Sequence, residues 1–95
     1  MLCTIICYDK PGSLDLRMAT RPTHLKWIEG SGVTFTYVGP LLADDGQTPR
    51  GSLFVGEFDS LDAARTFAKS DPYALAGLFE TVSVHPTRKV FPADK

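Results

Sequence analysis

The chain has 95 residues, with 10 Lys and Arg against 11 Asp and Glu and a formal net charge of −1. Hydrophobic residues make up 43% and charged residues 22%, a globular composition that excludes a disordered or low-complexity chain. The balanced charge argues against a nucleic-acid or anionic-membrane partner, and no apolar run approaches the roughly 20 residues of a membrane span.

The length fits a single domain over residues 1–95, with a core modest enough that self-association is expected. The start, Met1 to Tyr8, has neither the basic segment nor the cleavage site of a secretory signal, so the expected compartment is the cytoplasm. Leu2 to Tyr8 reads as a strand that is apolar at nearly every position. Leu2, Thr4, Ile6 and Tyr8 point one way; Cys3, Ile5 and Cys7 point the other. A strand of this kind is buried on both faces, one against helices and the other against a second subunit. Cys3 and Cys7 would lie roughly 13 Å apart along it, too far for a disulfide, and read as small buried hydrophobes.

Asp9-Lys10-Pro11-Gly12 is a turn. A helix is predicted from about Ser13 to Gly30, with Leu14, Met18, Leu25 and Ile28 at helical spacing and a kink or break near Arg21 imposed by Pro22. Trp27, roughly opposite Leu25, is expected under a loop or at a subunit contact rather than in the main core. Val33 to Leu42 reads as a second strand ended by Gly39-Pro40. Ala43 to Gly51 is a polar loop, and Leu53 to Phe58 a third strand. Ser60 caps a second helix whose apolar stripe is Leu61, Ala64, Phe67 and Ala68. Asp71-Pro72-Tyr73 opens a short helical turn closed near Gly77. Thr81 to Val84 is the last strand, extending after Pro86 through Val90. The order βαββαβ predicts an α+β, ferredoxin-like fold: a four-stranded antiparallel sheet in the order 4-1-3-2 with both helices on one face. The open face predicts a homodimer packed sheet to sheet.

Two segments could carry chemistry. Arg17, Arg21, His24 and Ile28 form one helical stripe beside the apolar one. Two arginines and a histidine can clamp a carboxylate, phosphate or phenolate and move a proton near neutral pH. The same pattern also fits a solvated helix face. Asp71 is a natural helix cap before Pro72, and it could also orient or charge His24. Ser52 could offer a hydroxyl to a ligand but has no base beside it in sequence. Asp44 and Asp45 read as an exposed turn, His85 as structural, and no Cys or His cluster suggests a metal.

The chain resembles the YciI-like family of YCII-related domains. The residues that carry the resemblance are Asp9-Lys10-Pro11-Gly12, Arg17 with Arg21-Pro22-Thr23-His24-Leu25, Gly39-Pro40-Leu41-Leu42, Gly46, Gly51-Ser52 and Asp71-Pro72-Tyr73 with Ala76-Gly77-Leu78-Phe79. The resemblance implies a ferredoxin-like domain paired into a dimeric α+β barrel, with a cleft built around a His-Asp pair. That pair is His24 and Asp71 here, with Ser52 and Gly39-Pro40 as pocket neighbours and Tyr73 beside Asp71. One type of relative is similar to dehydrochlorinases of chlorinated hydroxyquinols. It implies a cofactor-independent acid/base enzyme acting on a small polar or aromatic substrate, with no metal. His24 would be the acid/base, Asp71 its orienting group, and Arg17 or Arg21 the holder of an anionic or phenolic oxygen. The alternative is a non-catalytic homodimer that binds a small ligand or regulates.

Overall fold

Alternation along the first strand sorts its side chains cleanly. In a computed structural model that describes residues 1–93, β1 (Leu2–Asp9) buries Cys3, Ile5 and Cys7 completely on one face. The elements that follow are α1 (Leu14–Glu29), β2 (Thr34–Leu42), β3 (Pro49–Glu57), α2 (Leu61–Ser70), α3 (Pro72–Leu75) and β4 (Phe79–Pro86). The four strands form one antiparallel sheet in the order β2-β3-β1-β4, which is the expected ferredoxin-like α+β arrangement. β1 lies inside the sheet, as its doubly apolar pattern requires. The last two residues of the expected 1–95 domain lie outside the described residues. No described helix is long and apolar enough to cross a membrane.

The core sits between the sheet and the helices. Cys3, Ile5, Cys7 and Phe54 from the sheet meet Ala64 and Ala68 of α2, with Phe67 and Trp27 packed against them. Burying a side chain such as Ile5 or Phe54 contributes about 1.5–3 kcal/mol each. Ser60 caps α2 by accepting from the Ala63 amide at 3.0 Å. Gly77, at φ +79°, turns the chain out of α3 into β4, a conformation that disfavours other residues. Gly51 pairs with Tyr8, where any side chain would run into the Cys7 carbonyl.

Five expectations need correction. First, Pro22 does not break α1, which continues from Leu14 to Glu29 with the proline on its exposed side. Second, the buried face of α1 is not the Leu14–Met18–Leu25 stripe. Met18 is 50% exposed and Leu14 41%, whereas Arg17 and His24 are buried. Apolar residues lie all around this helix, so spacing alone did not select its inner face. Partners elsewhere in the fold did. Third, Trp27 is half-buried and packs against the core, stacked on Phe67 with ring centroids 4.3 Å apart. Fourth, Gly39-Pro40 does not end β2. The strand continues to Leu42, because β2 is an edge strand, where a residue with no amide hydrogen is tolerated. Fifth, β4 runs from Phe79 to Pro86 and does not extend through Val90.

The second face of the sheet carries Thr4, Ile6 and Tyr8 of β1. Opposite them across β3 are Val55, Leu53 and Gly51, and Tyr37 of β2 lies next to Val55. Tyr37 is 50% exposed and Tyr8 44%. The helices pack on the other face.

Candidate functional site

His24 and Asp71 are 47 positions apart and meet under α1. The His24 ring presents Nδ1 to Asp71 Oδ1 at 2.8 Å, and both side chains are buried. A carboxylate oxygen only accepts, so Nδ1 carries the hydrogen and Nε2 is the remaining ring nitrogen. The same Asp71 oxygen accepts from the Tyr73 amide at 2.9 Å and thereby caps α3. Capping and pairing therefore share one oxygen. Asp71 Oδ2 is buried and has no hydrogen-bond partner among the described residues.

The imidazole is held on several sides. Tyr73 stacks on it at 4.0 Å with a 23° tilt, and Trp27 and Phe54 lie 5.9 and 6.0 Å away. Arg17, two helical turns before His24, places its guanidinium carbon 4.4 Å from the centre of the Tyr73 ring. Tyr73 is thus held between a guanidinium and an imidazole. Burial raises the ionisation of the Tyr73 phenol above its usual range, with Asp71 adding to the effect and Arg17 and Arg21 opposing it.

Arg17 is 4% exposed and makes a forked pair with Asp9: Nε donates to Oδ2 at 2.6 Å and Nη2 to Oδ1 at 2.9 Å. Nη2 also donates to Ser52 Oγ at 2.9 Å. Burial works against the Arg17 charge, but Asp9 more than compensates and raises its ionisation above the ordinary arginine value. The sequence places Asp9 in a turn and in a motif of the family resemblance, without a role in the site. The signal that could have found it is parity: Asp9 follows Cys3, Ile5 and Cys7 on the buried face of β1, where a carboxylate needs a cation.

A cavity of about 530 Å³ opens between α1, β2 and β3. Arg17, Arg21, His24, Ser52, Gly39, Pro40 and Tyr73 all line it, and Asp71 sits behind His24. Apolar side chains, Met18, Leu25, Ile28, Val38 and Leu42, form much of its wall. Gln47 and Pro49, in the loop and at the start of β3, also line it and had no signal in the sequence. Arg21 has no ion-pair partner among the described residues, unlike Arg17.

Several residues lie outside this arrangement. Burial pushes the Cys7 thiol up to about 12, with Asp71 and Asp9 adding and Arg17 opposing, so it remains protonated and unreactive. Asp45 organises its own turn by accepting from the Gln47 and Thr48 amides and the Thr48 hydroxyl, which hold its carboxyl below the usual range. His85 faces Thr4 in the β1–β4 register. No group of three or more metal-ligating side chains occurs among the described residues.

Known proteins share this fold and much of this sequence. The chain is 41% identical to Protein YciI of Escherichia coli O6:H1 over 99 aligned positions, covering 96% of this chain and 100% of that one. It is 35% identical to a protein of Haemophilus influenzae over the same shares of the two chains. Among solved structures it is similar to the 5-chloro-2-hydroxyhydroquinone dehydrochlorinase of Burkholderia phenoliruptrix, determined with 2,5-dihydroxybenzoquinone. The TM-score is 0.84 and the identity 32%, over 93% of this chain and 94% of that one. An antibiotic biosynthesis monooxygenase shares the fold alone, with 12% identity and a TM-score of 0.55 over 94% of this chain and 100% of that one. The YCII-related domain matches residues 1–88, and the chain belongs to that family.

Proposed function

We propose that the protein is an acid/base enzyme that acts on a small hydroxylated ring, with His24 as the proton carrier. The observation that carries this reading is the His24–Asp71 pair at the wall of a largely apolar cavity. Asp71 holds the ring by Nδ1 and stabilises the imidazolium that forms when Nε2 takes a proton. Arg21, which lines the cavity and has no ion-pair partner among the described residues, receives a phenolate oxygen. The apolar wall takes the ring.

The relative solved with 2,5-dihydroxybenzoquinone supports a chlorinated hydroxyhydroquinone as the substrate class. Nε2 takes a hydroxyl proton and returns it to the ring carbon that bears chlorine. Loss of a second hydroxyl proton then expels chloride with the C–Cl electron pair. One HCl leaves and a hydroxybenzoquinone forms, so the balance needs no outside oxidant or reductant. The open sheet face, with Ile6, Leu53, Val55 and Tyr37, supports a homodimer through that face.

The test is chloride release from 5-chloro-2-hydroxyhydroquinone under anaerobic conditions. The wild type should accelerate it, and His24→Asn should stop it while still binding 2,5-dihydroxybenzoquinone. Binding without turnover in the wild type would replace this reading with the non-catalytic ligand-binding one. Equal turnover by His24→Asn would remove His24 from the chemistry.

A further inference from the structure

The hydroxyl of Ser52 is buried at 3% exposure, and its oxygen already accepts from Arg17 Nη2 at 2.9 Å. A guanidinium is a donor only, so Ser52 cannot return its own hydrogen to Arg17. No described group accepts from Ser52, and Ser52 lines the cavity. The charge on Nη2 withdraws density from Oγ and makes its hydrogen a better donor. Asp9 fixes the guanidinium from behind with two bonds, which sets where Nη2 points.

We propose that Ser52 is the residue that selects an oxygen on the ligand, donating a hydrogen bond to it, and that Asp9 and Arg17 act through Ser52 as positioning residues. Arg17 then has a different role from Arg21. Its charge is matched inside the protein by Asp9, whereas Arg21 supplies charge to the ligand. Ser52 is not a nucleophile in this arrangement, because the group beside it is a cation and not a base. The ligand class that fits carries two oxygens, one for His24 and Arg21 and one for Ser52, on a ring that fills the apolar wall.

The inference rests on the cavity being the ligand site of the proposed function, and does not require that His24 turn anything over. Binding of three probes tests it: 2,5-dihydroxybenzoquinone, 4-nitrocatechol, and chlorobenzene as a ring without oxygen. Ser52→Ala should weaken the two oxygen-bearing probes about ten-fold and leave chlorobenzene unchanged, the loss expected for one hydrogen bond. Ser52→Thr, which keeps the hydroxyl, should recover most of that loss. Arg17→Lys should weaken the same two probes in the wild-type background and add little in the Ser52→Ala background, a non-additivity that a purely structural role would not produce. Unchanged binding of the oxygen-bearing probes by Ser52→Ala overturns the inference alone. Equal weakening of all three probes also overturns it, since Ser52 would then shape the cavity and not read oxygen. Failure of the wild type to bind any probe overturns the ligand site itself, and the role of Ser52 with it.

Discussion

Replacing Asp71 separates its two roles. In the native chain Oδ1 accepts two bonds and Oδ2 none. Asp71→Asn keeps an acceptor in the Oδ1 position and places its amide nitrogen where Oδ2 was already without a partner. The fold should therefore change by under about 1 kcal/mol. Asp71→Ala removes both bonds. Losing the cap of α3 costs about 1 kcal/mol. Leaving the buried Nδ1 hydrogen without an acceptor costs about 1–3 kcal/mol, partly offset by removal of the orphaned carboxylate oxygen. A net loss of about 2 kcal/mol is expected. Urea unfolding reads this as a midpoint shift of about 1 M for a chain of this size. Turnover should behave differently: both variants should lose about 10²–10⁴-fold, because the negative charge that stabilises the imidazolium is gone in each. A ¹⁵N spectrum of His24 should keep hydrogen on Nδ1 in the wild type and in Asp71→Asn. Equal destabilisation by Asn and Ala, or full turnover by Asp71→Asn, would refute the assignment of the two roles.

Three further outcomes follow from the same geometry. Arg17→Met should destabilise the fold by about 3–5 kcal/mol, because Asp9 is left charged and buried, and adding Asp9→Asn should recover part of the loss in a thermal or urea melt. The native state keeps the Cys7 proton up to about pH 12, while the unfolded chain releases it near 9, the ordinary value, so stability should be intact below pH 9 and fall above it by about 1.4 kcal/mol per pH unit. Cys7→Ala should flatten that alkaline slope, and a slope unchanged by the substitution would remove Cys7 as its source. Val55→Asp places a charge in the middle of the open sheet face. Light scattering should show wild-type dimers and Val55→Asp monomers, and a monomeric wild type would rule out the proposed pairing.

The order of elements and the sheet order were legible because they depend on local pattern. The apolar residues on both faces of Leu2–Tyr8 marked an interior strand, and Ser60 marked the start of α2. Proline misled in two ways. Pro22 suggested a break in α1, and Pro40 an end to β2. Each proline sits where its missing amide hydrogen has little consequence, one on an exposed helix face and one on an edge strand. The spacing of Arg17, Arg21 and His24 on one face was also local and readable.

The sequence by itself determined the βαββαβ order, the strand with two apolar faces, and a helix stripe carrying two arginines and a histidine. Only the tertiary structure decided that this stripe turns inward at Arg17 and His24 while Leu14 and Met18 face out. The reason is that burying those polar side chains is unfavourable without partners, and the partners come from distant segments. Asp9 and Ser52 meet Arg17, and Asp71 meets His24. The same partners give the two arginines their different positions, Arg17 paired within the protein and Arg21 on the cavity wall, a distinction that helical spacing alone does not contain.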